Sequence, residues 1–233
     1  MVNGDMNFVE TPLGVLVKLF RDQCKEFNSV DEASTDFLDF LARHGREAPL
    51  DVRLNLLDLT IRPWFHRIKE RAQSAFVDRY FASDAKDRPE PDDFQEFRSK
   101  LITEQIAVVR TALEKLPDAI FIDGDSEQDG ELYRNIFTEI CDETFEDLSE
   151  DQLKNLAIVA DLLFRKPIGP TNTGVIIAGY GRNEIFPTLI HYEIFGVIGT
   201  RLKFVKRDEV DIDRGGTRAK VLPFAQKEMV ERF

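Results

Sequence analysis

The sequence predicts an α+β protein, predominantly helical, with a small C-terminal antiparallel sheet of three to four strands. Two observations carry this. Apolar residues recur every three or four positions through the first 165 or so residues, which is the period of one helix face. From Thr171 the period changes: "TNTGVIIAGYGRNEIFPTLIHYEIFGVI" is β-branched, aromatic and broken by glycine, as strands and tight turns require.

In chain order, "ETPLGVLVKLFRDQCKEF" opens with Thr11 as an N-cap and Pro12 at the first helical position. Leu13, Leu16, Val17, Phe20, Cys24 and Phe27 then form one stripe. "NSVDEASTDFLDFLARHG" begins with the capping-box pair Ser29 and Glu32 and is expected to stop at Gly45. The short connection predicts an antiparallel hairpin of these two helices, residues 1–47. A third helical pattern runs from Leu50 to Ala82, with Pro63 expected to kink or split it. "SDAKDRPEPDD" is a surface connection, followed by helices over Asp92–Lys115, near 131–146, and from a Ser149 cap to Lys166. Residues 48–166 thus read as one acidic helical stretch. "KPIGPTN" ends the helical run. Residues 167–233 hold three strands, the turn "DRGG", a possible short strand "TRAKV" and a C-terminal helix in "PFAQKEMVERF", and are expected to pack with 1–47 as one domain.

Charge narrows the function classes. The net charge is −12 overall. Residues 167–233 carry 10 Lys/Arg against 8 Asp/Glu, leaving 21 against 35 for residues 1–166. An acidic helical part joined to a nearly neutral β part repels phosphates, which argues against a nucleic-acid partner. No apolar run reaches the roughly 18 residues of a membrane span, and "MVNGDMNFVE" lacks the pattern of a signal peptide. The expectation is a cytoplasmic protein with Cys24 and Cys141 as reduced core thiols.

No motif yields a catalytic, cofactor or metal site. The acidic loop Asp123, Asp125, Glu127, Asp129 and Glu131 fails as a calcium loop. Counting from Asp123, the sixth and twelfth positions hold Gln128 and Arg134, where glycine and glutamate are needed. His44, His66 and His191 are scattered, without zinc-ligand spacing. "AGYGRNE" has Gly179 and Gly181 after an apolar strand, but Glu184 stands where a dinucleotide loop has its third glycine, and a strand follows instead of a helix. The glycines read as a sharp turn or a tight packing contact. "FHRIKERAQSAFVDRYF" reads as a solvated helix face.

"GVIIAGYGRNEIFPTLIHYEI" resembles a segment of proteasome β-type, N-terminal-nucleophile (Ntn) hydrolases. There a core strand reading apolar-apolar-Ala-Gly-aromatic meets a turn and then a second strand with an early proline. "GDMNFVETPLGVLVKLFRDQ" and "VLPFAQKEMVERF" resemble stretches of uncharacterised bacterial proteasome-like proteins. The resemblance covers residues 1–45 and 168–233. It implies a partial Ntn-like αββ arrangement with 48–166 as a large helical insertion. It also implies a Thr, Ser or Cys nucleophile at a mature N-terminus whose α-amino group is the base. These residues supply no such group: Met1 is followed by Val2. The implied reading is a partial Ntn hydrolase, inactive as given, whose nucleophile lies outside the chain. The alternative is a non-enzymatic interaction or assembly module. With part of the sheet layer missing, the "GVIIAGYG" strand is expected to have a bare edge, and the chain to form a homo-oligomer or bind a protein partner.

Overall fold

A computed structural model describes residues 2–3, 7–8, 11–82, 88–122 and 126–211. The chain runs β1 (Val2–Asn3), β2 (Asn7–Phe8), β3 (Thr11–Pro12), α1 (Leu13–Gln23), α2 (Val30–Arg46), α3 (Leu50–Ala82), α4 (Phe94–Glu114), β4 (Ile120–Ile122), α5 (Ser126–Thr144), α6 (Glu150–Arg165), β5 (Thr173–Gly179), β6 (Thr188–Ile198) and β7 (Arg201–Asp211), with one 3-10 turn at Pro91–Asp93. It is an α+β protein, mostly helical. It divides into two compact units: residues 1–48, 120–124 and 171–233, and residues 49–119 and 125–170. No helix among the described residues is long and apolar enough to cross a membrane.

In the first unit an antiparallel sheet has the order β1-β5-β6-β7-β4. Three long strands form its body, as the alternation in "TLIHYEI" and "RLKFVKRDEV" predicts, and two short strands extend it. β1 pairs Val2 with Val175 and Asn3 with Gly174, so the β5 edge is partly covered. Ile120–Ile122, read from sequence as part of the acidic helical stretch, is a strand that pairs with Leu202–Phe204.

Helices α1 and α2 cover one face of this sheet. Val30, Phe37, Leu38, Leu41 and Ala42 recur at helical spacing and bury against Val175, Ile190, Tyr192 and Ile194. Phe20 of α1 meets Phe37 edge-on at 5.1 Å and Phe40 at 5.6 Å. Ser29 caps α2, its hydroxyl accepting the Glu32 N–H at 3.1 Å, while the Glu32 carboxylate takes the Asn28 N–H at 2.8 Å. Gly45 does not end the helix, which runs to Arg46. Its role is packing: a Cβ there would lie 2.2 Å from Val197 Cγ2, so glycine lets α2 close onto β6.

The start of α1 also differs from the sequence reading. Thr11 and Pro12 pair with Asn7 and Phe8 in a small ribbon, and Pro12 takes the cap position without a side-chain bond. The helix ends at Gln23, because Cys24 turns to extended backbone, and the connection to α2 is residues 24–29.

In the second unit α3, α4, α5 and α6 share a core. Ile61, Phe65 and Ile68 meet Ile106, Val109 and Leu113 together with Ile140, Leu156, Val159 and Leu163. α3 continues through Pro63 instead of splitting. A mid-helix proline costs about 3 kcal/mol, and here Ile61, Phe65 and Ile68, all fully buried, hold the helix on both sides of it. α5 starts at Ser126, five residues earlier than the sequence pattern suggests. Ser149 and Gln152 form a complete capping box at the start of α6. The Gln152 amide also donates to Ser99 O at 2.8 Å and Thr103 Oγ1 at 3.0 Å, tying α6 to α4. At the other end Lys166 reaches Leu116 O at 2.7 Å and Asp118 at 2.8 Å, and it holds the Asp118 carboxyl below its usual range. The "TRAKV" strand and the "PFAQKEMVERF" helix lie outside the described residues.

Candidate functional site

The turn "AGYGRNE" is a clasp between sheet and helix. Arg182 N–H donates to Phe27 O at 3.0 Å, and Asn183 N–H to Asn28 O at 3.1 Å. A Cβ on Gly181 would sit 2.2 Å from the Asn28 backbone, so this approach demands glycine, as the tight-contact reading of the sequence expected. Arg182 pairs with Glu26 across the same contact. The half-buried Glu184 carboxylate accepts the Gly181 N–H at 2.7 Å and the Val30 N–H at 3.0 Å. The anion at the α2 N-terminus is therefore the protein's own glutamate, and these amides already have an acceptor. Tyr180 and Ile185 flank the clasp and are exposed.

On the sheet surface away from α1 and α2, several polar side chains of β6 and β7 are paired. His191 Nδ1 lies 3.2 Å from Asp208 Oδ2, and Glu193 meets both Asn172 and Arg207. His191 is thus held in a cross-strand pair. His44 stacks on Phe8 at 6.4 Å, and His66 is exposed on α3. The three histidines are not brought together. Among the described residues no group of three His, Cys, Asp or Glu could hold a metal ion. The acidic loop begins outside the described residues, and from Ser126 onward it is helix. Cys141 is buried, its thiol pushed up to about 12 by burial. Cys24 is exposed rather than in the core, because α1 ends just before it.

Lys203 is a buried cation that the sequence reading did not single out. It is fully buried on β7, and desolvation lowers its pKa to about 7. Its Nζ lies 5.9 Å from the Phe195 ring. Its strand pattern, apolar Leu202 and Phe204 on either side, gave no signal of the burial.

A concave surface lies in the helical unit. A groove of about 1110 Å³ runs between α3, the start of α4 and the segment joining α5 to α6. Phe76, Phe94, Ile102, Phe145 and Leu148 make its apolar wall. Phe76 contacts Phe94 edge-on at 5.4 Å and carries the Arg98 guanidinium over its ring at 5.0 Å. Along α3 the apolar surface continues through Val77, 49% exposed, to Tyr80 and Phe81, the latter 71% exposed. The sequence places Phe76 and Tyr80 in the helical pattern of Leu50 to Ala82, in a stretch that reads as a solvated helix face. The signal that reading missed is width: Phe76, Val77, Tyr80 and Phe81 are too many apolar residues for one buried stripe at a helix end.

No protein-family model, no curated protein and no solved structure matches this chain.

Proposed function

We propose that the chain is a non-enzymatic protein–protein interaction or assembly module whose working surface is the groove of the helical unit. One observation carries this: an apolar wall around a volume of about 1110 Å³ that continues onto the exposed Val77 and Phe81. Contiguous exposed apolar surface of this kind is a common mark of a docking site. The side chains that could do chemistry support the same reading. His191 is committed to Asp208, Glu184 to backbone amides, and Cys141 is buried with a raised pKa. The test is cross-linking in the protein's own cells. Inter-protein links should form from Lys69 and Lys100 beside the groove. They should vanish when Val77→Gln is combined with Phe81→Gln, while labelling of Lys18 persists. Links that avoid the helical unit, or survive that double change, overturn the proposal.

A second reading keeps the Ntn-hydrolase resemblance. Two helices on one face of the β5-β6-β7 sheet favour it, since that layer pair is what the resemblance implies. On this reading the chain is the part of such a hydrolase that lacks the nucleophile. N-terminal sequencing of the native protein tests it: a mature chain beginning with Thr, Ser or Cys supports it, and one beginning at Met1 or Val2 removes it.

A further inference from the structure

We infer that the groove takes an apolar peptide segment flanked by lysine or arginine, supplied by a partner protein; this rests on the interaction-module reading. The rim of the groove carries four carboxylates, Asp92, Glu96, Glu146 and Asp147, against two cations, Lys69 and Arg98. Of the cations, Arg98 already lies over the Phe76 ring. Of the carboxylates, Asp147 accepts one neutral bond, from Gln95 at 3.1 Å. Residues 1–166, which contain the whole rim, add a strongly acidic background. A ligand whose flanks are basic is steered toward this surface, and one with acidic flanks is repelled.

Three alternatives fit less well. Nucleic acid carries the wrong charge. A second copy docking groove to groove would set one acidic rim against another, at a cost in like-charge contact. A small apolar molecule would fill the wall yet leave Val77 and Phe81 exposed, whereas an extended or helical segment covers both. Val77 and Phe81 are four residues apart on α3 and share a face, as anchors for such a segment should.

The test uses the full chain and two fluorescein-labelled synthetic peptides with one leucine pattern, flanked by lysines or by glutamates. Fluorescence anisotropy should show the lysine peptide binding at least about tenfold tighter, with the gap narrowing as salt is raised. Val77→Gln with Phe81→Gln should weaken it about tenfold or more. Asp92→Lys with Glu146→Lys, both on the surface, should reverse the preference. Equal affinity for the two peptides, or a preference that survives the charge reversal, overturns the inference. If cellular cross-links still map to Lys69 and Lys100 in that case, only the ligand chemistry falls. If those links are absent, the module reading falls with it.

Discussion

Replacing Lys203 by methionine should remove most of the rise in stability that the protein shows between about pH 7 and about pH 10. The amine is fully buried, and desolvation lowers its pKa from 10.5 to about 7. In the unfolded chain the amine keeps its proton up to about 10.5; in the folded chain it loses it near 7. Between these values the unfolded state binds more protons, so wild-type stability rises with pH across that window. At about 1.4 kcal/mol per pKa unit the gap amounts to roughly 5 kcal/mol, nearly all of it still present at neutral pH. Local relaxation around the charge reduces this, so wild-type stability should rise by roughly 2–4 kcal/mol between about pH 7 and about pH 10, while methionine, of similar length and without a titrating group, should show no such rise from this site. Trp64, the single tryptophan, lies in the helical unit and would not report the sheet. Urea titrations equilibrated at about pH 7 and about pH 10 should therefore be read by pulsed hydrogen exchange of β6 and β7 at one labelling pH. A difference between variant and wild type that is the same at both pH values refutes the reasoning.

Gly181→Ala should break the clasp, because its Cβ would lie 2.2 Å from the Asn28 backbone. A loss of about 2–3 kcal/mol is expected, with exchange protection lost at the Arg182 and Asn183 amides. Gly45→Ala should cost about 1–3 kcal/mol by overpacking against Val197. Val197→Ala in the same chain should recover part of that cost, and simple additivity in the double-mutant cycle would count against the contact. Iodoacetamide should modify Cys24 in the native protein and Cys141 only after unfolding, read by intact mass. Native labelling of Cys141 would contradict its burial.

Local signals in the sequence located most elements, and non-local pairing accounts for those it misread. Ser29 with Glu32 and Ser149 with Gln152 are short-range chemistry, so both helix starts were legible. The end of α1 was not, because Phe27 and Asn28 lend their carbonyls to residues 182 and 183 and stay outside the helix. Ile120–Ile122 gave no strand signal at three residues; its partner is Leu202–Phe204, some eighty positions away. Gly45 looked like a stop signal because a helix-ending glycine and a packing glycine read alike until β6 is in view. The groove was hidden for a related reason. A stripe of Phe and Tyr on α3 looks the same whether a neighbouring helix or a partner covers it.

The edges of the sheet bear on where a partner would bind. A bare β5 edge would have made strand addition the natural route to assembly. Instead β1 covers Gly174 and Val175, and the opposite edge of the sheet is the three-residue β4. Strands this short expose few unpaired backbone groups and make poor templates. β4 also carries Phe121 under the Arg201 guanidinium at 5.2 Å, which puts a charge at that edge. Assembly through edge pairing would be confined to the stretches of β5 and β7 that β1 and β4 do not pair with, and would have to work around those two short strands. Docking into the helical groove meets neither restriction, since Val77 and Phe81 are already exposed beside the volume they border. The helical unit is thus the better place to look for the partner, whichever reading of the sheet unit holds.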